Sequence, residues 1–103
     1  MGGRVARSGA GRKGDTGKPP WDLAPWRAVS VMVRVLGFGA RRYGPENWRK
    51  VENRRDRYSA AALRHLVAWK LGEKKDPETG ESHLAHTMCC VAFLLDEEEE
   101  KQP

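Results

Sequence analysis

The sequence lacks any apolar run near the roughly 20 residues that a membrane-spanning helix needs. Its first residues are rich in glycine and arginine and lack the apolar centre of a secretory signal peptide. No segment alternates apolar and polar residues over the length of a strand, and no longer internal repeat occurs. These absences favour a cytoplasmic protein without a membrane partner and without a β-sheet.

Cysteine is also scarce. The two cysteines, Cys89 and Cys90, are adjacent and lie within an apolar stretch. A disulfide between sequence neighbours is severely strained, so the disulfide framework of a small secreted protein is excluded. This usage fits a reducing compartment.

Basic residues exceed acidic ones, which gives a formal net charge of +5. The basic excess of residues 1–18 is offset by the acidic residues that begin at Asp96, so the body between them carries the whole net charge. A basic body suits anionic ligands, and the phosphates of nucleotides fit as well as those of DNA.

The 103 residues fit one domain with two tails. Residues 1–18 predict a disordered basic arm, because they hold little apolar surface to bury. Within this arm, residues 9–18 resemble a phosphate-binding loop, but Pro19 replaces the required Ser or Thr and no strand precedes it. Residues 19–95 predict an all-α domain. Residues 96–103 predict an acidic tail that frays, since its glutamates repel one another and oppose the helix dipole.

Apolar spacing predicts three helices. The first runs from about Pro25 to Tyr43 with Asp22 as its cap, the second from about Asp56 to Leu71, and the third begins near Ser82. Gly72 is expected to end the second helix. The polar connection of residues 46–55 can contribute a fourth, so the fold class is a small helical bundle of three to four helices.

Each helix has a predicted core face, and Gly37 and Gly39 predict a close approach of a helix or a ligand to the first. So few helices make a thin core, which we expect homo-oligomerisation to complete. The predicted core residues are Trp21, Leu23, Trp26, Val29, Val33, Leu36 and Phe38, then Ala60, Leu63, Leu66, Val67 and Leu71, then Leu84, Met88, Val91, Ala92 and Leu95.

An acidic loop joins the second and third helices, with Glu73, Asp76 and Glu78 within six positions. Such hard oxygen ligands suit Mg²⁺ or Mn²⁺ held together with substrate phosphates. A solvated surface turn is the alternative on residue types alone. Pro77 and Gly80 argue for a defined loop shape.

Three histidines flank this loop. His83 and His86 share a face of the third helix, Cys90 continues that face, and His65 lies on the second helix. These groups could form a structural zinc site, although packing and hydrogen bonding is the commoner role of such residues. A further possibility is that His83 and His86 hydrogen-bond the loop carboxylates or reach phosphate oxygens.

A third cluster surrounds the end of the first helix. Arg41 and Arg42 are followed by Tyr43, and then by Asn47 and Trp48 on a loop. Cations, aromatic rings and an amide can together pair with phosphates and stack on a base. The alternative is a basic turn in which the two aromatic residues cover the core.

Five strings in series resemble the phage dATP/dGTP diphosphohydrolase family, small all-α enzymes related in style to the MazG nucleotide pyrophosphohydrolases. The resemblance covers the chain from Gly17 to about Leu95. The strings are Gly17-Lys-Pro-Pro-Trp-Asp-Leu-Ala-Pro25; Phe38-Gly-Ala-Arg-Arg-Tyr-Gly44 with Asn47-Trp-Arg49; Tyr58 with Ala62-Leu-Arg-His-Leu66; Gly72-Glu73 with Asp76-Pro-Glu-Thr-Gly80; and His83-Leu-Ala-His86.

The resemblance implies metal-dependent hydrolysis of a purine deoxynucleoside triphosphate, dATP or dGTP, to the monophosphate and pyrophosphate in the host cytoplasm. It implies that Glu73, Asp76 and Glu78 hold Mg²⁺ or Mn²⁺ and act on the attacking water. The implied substrate contacts, to the phosphates or to the base, are Arg42, Tyr43, Asn47, Trp48, Arg49, Arg64, His65, His83 and His86.

The chain departs from the family at Lys74 and Lys75, where relatives often carry a further acid, and it lacks the paired acidic helix motifs of MazG enzymes. A rival hypothesis is a non-enzymatic phage protein that binds nucleic acid or a nucleotide through its basic surface. The arginines of the arm and of residues 54–57 would make its phosphate contacts.

Overall fold

The computed structural model describes Gly14 and residues 16–102, so almost all of the predicted basic arm lies outside the described residues. Three α-helices follow in order: α1, Trp26–Tyr43; α2, Arg54–Lys70; and α3, His83–Glu100. Short 3₁₀ turns occupy Trp21–Leu23 and Asn47–Lys50. No strand occurs among these residues, which confirms the all-α fold class. None of their helices is both long and apolar enough to span a bilayer.

The helix boundaries lie close to those predicted, with two corrections. Pro25, not Asp22, occupies the N-cap position of α1, because Asp22 lies within the preceding 3₁₀ turn. The polar connection supplies only the turn Asn47–Lys50 and no fourth α-helix. At the start of α3 the Ser82 hydroxyl accepts a hydrogen bond from the Leu84 amide, so this helix is capped by a side chain.

Gly72 ends α2 as predicted. Its φ of 108° lies where side chains are strained, and its amide donates to the Trp69 carbonyl. The following amide, that of Glu73, donates to the Ala68 carbonyl at 3.0 Å. This paired closure satisfies the last carbonyls of α2 and turns the chain into the acidic loop.

Changing Gly72 to Ala is expected to lower the free energy of unfolding by about 1–2 kcal/mol, because an added Cβ opposes the positive φ. Gly39 provides a matched control. It lies inside α1, where an added Cβ meets no atom within 4 Å. Gly39→Ala should leave stability unchanged or raise it by up to about 1 kcal/mol. Urea denaturation measures both, and equal effects would contradict this account of Gly72.

Helix α3 lies between the other two and packs against both α1 and α2. The centre of the core consists of Val35 on α1 with Ala85 and Cys89 on α3. The Cys89 thiol donates to the Met32 carbonyl at 3.4 Å, which ties α3 to α1. Burial raises the pKa of Cys89 to about 12 and that of Cys90 to about 11. Both cysteines are free and protonated, as the absence of a disulfide framework predicts.

The predicted core faces of α2 and α3 are wrong for most of their residues, and of the predicted residues only Ala60, Met88 and Ala92 are half-buried. On α2, Leu63 and Val67 are exposed, and the buried residue is Ala62. On α3, Val91 and Leu95 are exposed. The residues that α3 buries instead are small or polar: His83, Ala85, Cys89 and Cys90. Short side chains let two helices approach closely, so the faces that pack are those with little bulk, and the larger apolar stripes point outward.

The predicted core face of α1 is also partly wrong. Val33 and Trp26 are exposed, whereas Val35 is buried and Leu36 packs against the core. Gly37 and Gly39 predict a close approach of either a helix or a ligand. No other helix comes close to Gly37, because the nearest atom to an added Cβ there belongs to Arg41 of the same helix. The approach of a ligand stays a prediction. Gly39 borders a cavity described below.

The acidic tail continues α3 to Glu100. Two ion pairs hold it to the rest of the domain: Arg49 contacts Asp96 at 2.9 Å, and Arg54 contacts Glu97 at 2.8 Å. These pairs lie one and two residues into the predicted tail, so its first turn is anchored. Fraying of the remaining glutamates stays a prediction.

Candidate functional site

The acidic loop has a defined shape, as its proline and glycine predict. The Asp76 amide donates to the Glu81 carbonyl at 2.8 Å, and the Gly80 amide donates back to the Asp76 carbonyl at 2.7 Å. At the base of the loop the His83 amide donates to the Lys74 carbonyl at 2.9 Å. Gly80 adopts a φ of 74° that closes the turn. The loop is therefore a closed, hydrogen-bonded turn, although most of its residues are exposed at the surface.

Asp76 is fixed at the centre of this loop. Its Oδ2 accepts hydrogen bonds from the backbone amides of Glu78 at 3.1 Å and Thr79 at 3.0 Å. Burial raises the pKa of Asp76, but the Thr79 amide and the neighbouring His86 and His65 outweigh it and bring the pKa below its ordinary value. The carboxylate is therefore ionised and held in one orientation at neutral pH.

The three histidines meet beside Asp76. His65 on α2 faces His83 on α3, with their Nδ1 atoms 2.8 Å apart. The His65 ring also stacks on His86, with centroids 4.5 Å apart. His86 Nε2 lies 2.6 Å from the Thr79 hydroxyl and 3.9 Å from the Asp76 carboxylate. The packing of α2 on α3 therefore brings together residues that lie 18 or more positions apart.

Glu73 orients this cluster from outside. Its Oε1 lies 2.7 Å from His83 Nε2, and because a carboxylate can only accept, His83 Nε2 carries the proton. On its other side, His83 Nδ1 shares a hydrogen bond with His65 Nδ1, and the tautomers of the two rings decide which of them donates. His83 is buried, whereas Glu73 is largely exposed.

Burial also sets the protonation of the other two imidazoles. It lowers the pKa of His65, to which repulsion from His86 adds. It lowers the pKa of His86 as well, against the opposing attraction of Asp76. Both rings are therefore neutral at pH 7, and their nitrogen lone pairs are available as acceptors or metal ligands.

The structure groups a different set of potential metal ligands from either predicted set. Within the part of the chain that is described, His65, Asp76 and His83 form the one group of three or more such residues whose donor atoms all lie within 4.8 Å of one another. Of the predicted carboxylates, Glu73 contacts His83 and Glu78 pairs with Arg42. The predicted carboxylate set shares Asp76 with this group, and the predicted zinc set shares His65 and His83 with it. Neither predicted set is identical to the group.

The predicted phosphate-binding arginines lie around the site in different settings. Arg42 reaches the loop and pairs with Glu78. Arg49 pairs with Glu46 and Asp96, which gives it a clear structural role. Arg64 lines a second, more polar surface cavity of about 590 Å³. Of these three predicted arginines, Arg42 is the one that contacts the acidic loop directly.

Arg34 makes a further contact to the loop and is not among the predicted site residues. Its guanidinium donates to both carboxylate oxygens of Glu81, at 2.9 and 3.0 Å. This hydrogen bonding lowers the pKa of Glu81. Because the two residues lie 47 positions apart, no local pattern signals the pair.

An apolar cavity of about 450 Å³ opens beside the loop, a size within the range of small-molecule pockets, roughly 300–1,000 Å³. Its walls come from the second half of α1, the turn at Asn47–Lys50 and the middle of α3. Glu78, Thr79 and His86 form its polar rim. The cavity thus adjoins the histidine and carboxylate cluster.

Aromatic residues build one end of this cavity. Trp48 stacks on Phe93 of α3, with centroids 4.5 Å apart, and Tyr58 of α2 meets the same ring edge-on at 5.0 Å. Arg49 lies over the Trp48 ring at 4.2 Å. Trp48 therefore covers the core, as the structural alternative predicts, and also lines the cavity with Asn47 and Tyr43. Phe93, Tyr58 and Thr79 were missed as cavity residues, although Thr79 and Tyr58 lie within the strings that carry the resemblance.

The rival nucleic-acid hypothesis gains little from the described residues. Arg54 pairs with Glu97, which removes one cation from a surface for DNA phosphates. The arginines of the arm precede Gly14 and lie outside the described residues.

Fold and site together define a small helical domain with an apolar cavity beside a cluster of three histidines and an aspartate. Residues 8–103 match the family described as dATP/dGTP diphosphohydrolase, N-terminal. The chain belongs to this family, which confirms the resemblance.

A relative, the dATP/dGTP diphosphohydrolase of Salmonella phage PMBT28, is 35% identical over 87 residues. The alignment covers 82% of this chain but 29% of that protein, so the chain spans less than a third of the relative. No solved structure matches the chain.

Proposed function

We propose that this domain binds a purine deoxynucleoside triphosphate, dATP or dGTP, and hydrolyses it to the monophosphate and pyrophosphate with the help of a divalent metal. The observation that supports the proposal most is the apolar cavity whose polar rim is shared with the Asp76 and histidine cluster. Membership of the family, with a relative named for this activity, supports the choice of substrate.

The base is proposed to occupy the apolar cavity. Apolar walls and aromatic rings suit the flat faces of a purine, and the amide of Asn47 can exchange hydrogen bonds with the polar edge of the base. Because Trp48 already stacks on Phe93, it can offer the base its ring edge or the rest of its surface. The stacking also holds this part of the cavity wall in place. Tyr43, which is largely exposed at the mouth, can close over the base.

The triphosphate is proposed to lie along the rim toward the loop. Arg42 is half-exposed, as is its partner Glu78. Such a pair contributes about 1 kcal/mol or less, so phosphate oxygens can replace the carboxylate at small cost. His86 and Thr79 at the same rim can donate to phosphate oxygens. Arg49 and Arg64 remain further candidates for neutralising charge that develops during hydrolysis.

The loop residues fit a divalent ion near Asp76, because this ionised carboxylate lies among neutral imidazoles and is fixed by backbone amides. Glu78 is proposed as an additional oxygen ligand after Arg42 moves away, and Glu73 is proposed to act from outside by holding His83. When bound, the metal supplies Lewis-acid polarisation of a phosphoryl oxygen and a water of lowered pKa. Asp76 and the histidines position it, and Arg42 orients the phosphates.

A product screen tests the proposed reaction. The purified chain is incubated with each of the four deoxynucleoside triphosphates and either Mg²⁺ or Mn²⁺, and the nucleotides are separated by anion-exchange chromatography. The proposal expects dAMP or dGMP with an equal amount of pyrophosphate and little turnover of the pyrimidine nucleotides. No monophosphate above a protein-free blank would contradict the hydrolytic role, and a diphosphate product would contradict the position of the cleaved bond.

We also propose that the domain self-associates through its outward apolar stripes. Leu63, Leu66 and Val67 lie on one face of α2, and Leu71, which directly follows the helix, is 83% exposed. Among the described residues no large side chain is below 2% exposed. A second copy is the occupant that these stripes suit, because matched apolar faces are self-complementary under two-fold symmetry.

Light scattering coupled to size-exclusion chromatography tests this association. We expect a mass of at least two chains for the wild type and the mass of one chain for Leu63→Glu, because a charge at the centre of an apolar interface is costly to bury. Gln102→Glu adds the same charge at the exposed end of the chain and should leave the oligomer unchanged. A wild-type monomer at all concentrations would overturn the proposal.

A further inference from the structure

We propose that His65, Asp76 and His83 form a binding site for one transition-metal dication of the Mn²⁺, Co²⁺ or Zn²⁺ type. The ion at this site is the divalent metal that the proposed hydrolysis uses, so the role of the site in catalysis rests on the proposed function. It differs from the carboxylate set of Glu73, Asp76 and Glu78 and from a zinc set that includes Cys90. The geometry of three elements, α2, α3 and the loop, supports it.

The two imidazoles are aimed at one point. Glu73 accepts from His83 Nε2–H, so the lone pair of His83 Nδ1 faces His65 Nδ1 at 2.8 Å. Without a metal, one proton lies between these two nitrogens. A metal ion bound at this point takes the place of that proton, and the His65 ring then carries its proton on Nε2. Metal–nitrogen bonds of about 2.0–2.1 Å need the two nitrogens only a few tenths of an ångström further apart.

The carboxylate is already held in place. Backbone amides of Glu78 and Thr79 fix the Asp76 side chain through Oδ2, and the closed loop fixes the backbone of Asp76 itself. One of its carboxylate oxygens lies within 4.8 Å of one ring nitrogen of His65 and one ring nitrogen of His83. Little ordering is therefore needed when an ion binds, and the remaining coordination positions are open to water or phosphate.

An outer contact of the kind found at metal sites accompanies this set. A ligating histidine commonly donates its other N–H to a carboxylate, which fixes the ring and raises its basicity. Glu73 has this relation to His83, which is itself buried. The same contact explains why Glu73 belongs to the site without being one of its three inner ligands.

The ligand types select the class of metal. Imidazole nitrogen suits Zn²⁺ and the late transition metals, carboxylate oxygen suits Mn²⁺, and Mg²⁺ prefers an all-oxygen shell in which it retains its waters. Two nitrogens and one carboxylate therefore disfavour Mg²⁺ as the tightest ion. The competing account is a pair of hydrogen-bonded histidines that binds no ion, and it predicts no metal affinity.

Isothermal titration calorimetry of the 103-residue chain with MnCl₂, ZnCl₂ and MgCl₂ tests the proposal. We expect one Mn²⁺ or Zn²⁺ per chain and an affinity at least about tenfold above that for Mg²⁺. His65→Asn and Asp76→Asn should each weaken Mn²⁺ binding about tenfold or more. Circular dichroism verifies that each variant retains its helices, and any variant that does not is replaced by His65→Gln.

Two controls separate this site from its neighbours. Glu81→Gln removes a carboxylate of the same loop that pairs with Arg34 and should retain Mn²⁺ affinity. His86→Asn removes the third histidine and should have a much smaller effect than His65→Asn. No saturable binding, a preference for Mg²⁺, or equal losses in the His86 and His65 variants would overturn the proposal. Binding without nucleotide hydrolysis would contradict the proposed function and leave the metal site standing.

Discussion

Changing Asp76 to Asn is expected to reduce hydrolysis of dATP and dGTP about 100-fold or more while leaving the helix content unchanged. The neutral amide can still accept the hydrogen bonds from the Glu78 and Thr79 amides through its oxygen, so the turn remains closed. What disappears is the fixed negative charge beside the histidines. Steady-state kinetics with the metal at saturation measures the effect on kcat.

Glu81→Gln is the matched control for this prediction. Its carboxylate lies in the same loop but faces Arg34 in an ion pair at the surface, and such a pair contributes little to stability. The variant should keep most of the wild-type activity. An active Asp76→Asn enzyme, or an equal loss in Glu81→Gln, would refute the role assigned to Asp76.

Changing Phe93 to Ala is expected to lower the free energy of unfolding by about 2–4 kcal/mol, because one substitution removes the ring that both Trp48 and Tyr58 contact. Phe93 also packs against the central core, so its loss loosens the contact of α3 with the turn at Asn47–Lys50. Since Phe93 lines the cavity as well, the variant should bind nucleotide more weakly even below its unfolding temperature.

Phe93→Leu keeps most of the apolar volume and serves as the control. It should recover more than half of the lost stability, as measured by urea denaturation at one fixed protein concentration. A loss below about 1 kcal/mol in Phe93→Ala would show that the aromatic contacts are not a major part of the core.

The features predicted correctly from the sequence depend on neighbours along the chain. Gly72 ends α2 because the positive φ is a local property of glycine, and Ser82 lies at the start of α3 because its hydroxyl reaches an amide two residues on. The acidic loop is closed by residues it contains itself. Asp22 is the exception, because the chain forms a separate 3₁₀ turn before α1 begins.

The core faces could not be predicted in the same way. Apolar spacing shows that a helix has a stripe, but it does not show which face meets a neighbour. In α2 the stripe at Leu63 and Val67 points outward, and Ala62 and His65 face α3. Small residues add little to the hydrophobic periodicity of a helix, although they permit the closest packing of two helices. The exposed stripes of large apolar residues would be buried if a second chain packed against them.

The candidate site could be predicted from the sequence only in part. The acidic loop and its histidines were recognised as one region from their proximity in sequence and from the resemblance. The pairing of His65 with His83 and the contact of Glu73 with His83 depend on how α2 packs on α3. Trp48 was expected either to bind the base or to cover the core, and in the structure it covers the core while bordering the cavity.

A crystal structure with Mn²⁺ and a dGTP analogue that cannot be hydrolysed between its α and β phosphates is the most direct test of the central claim. The account predicts an anomalous manganese peak within bonding distance of His65, Asp76 and His83, with the base in the cavity beside Phe93 and the phosphates directed at the acidic loop. A nucleotide bound elsewhere on the chain, with the cavity still empty, would contradict it.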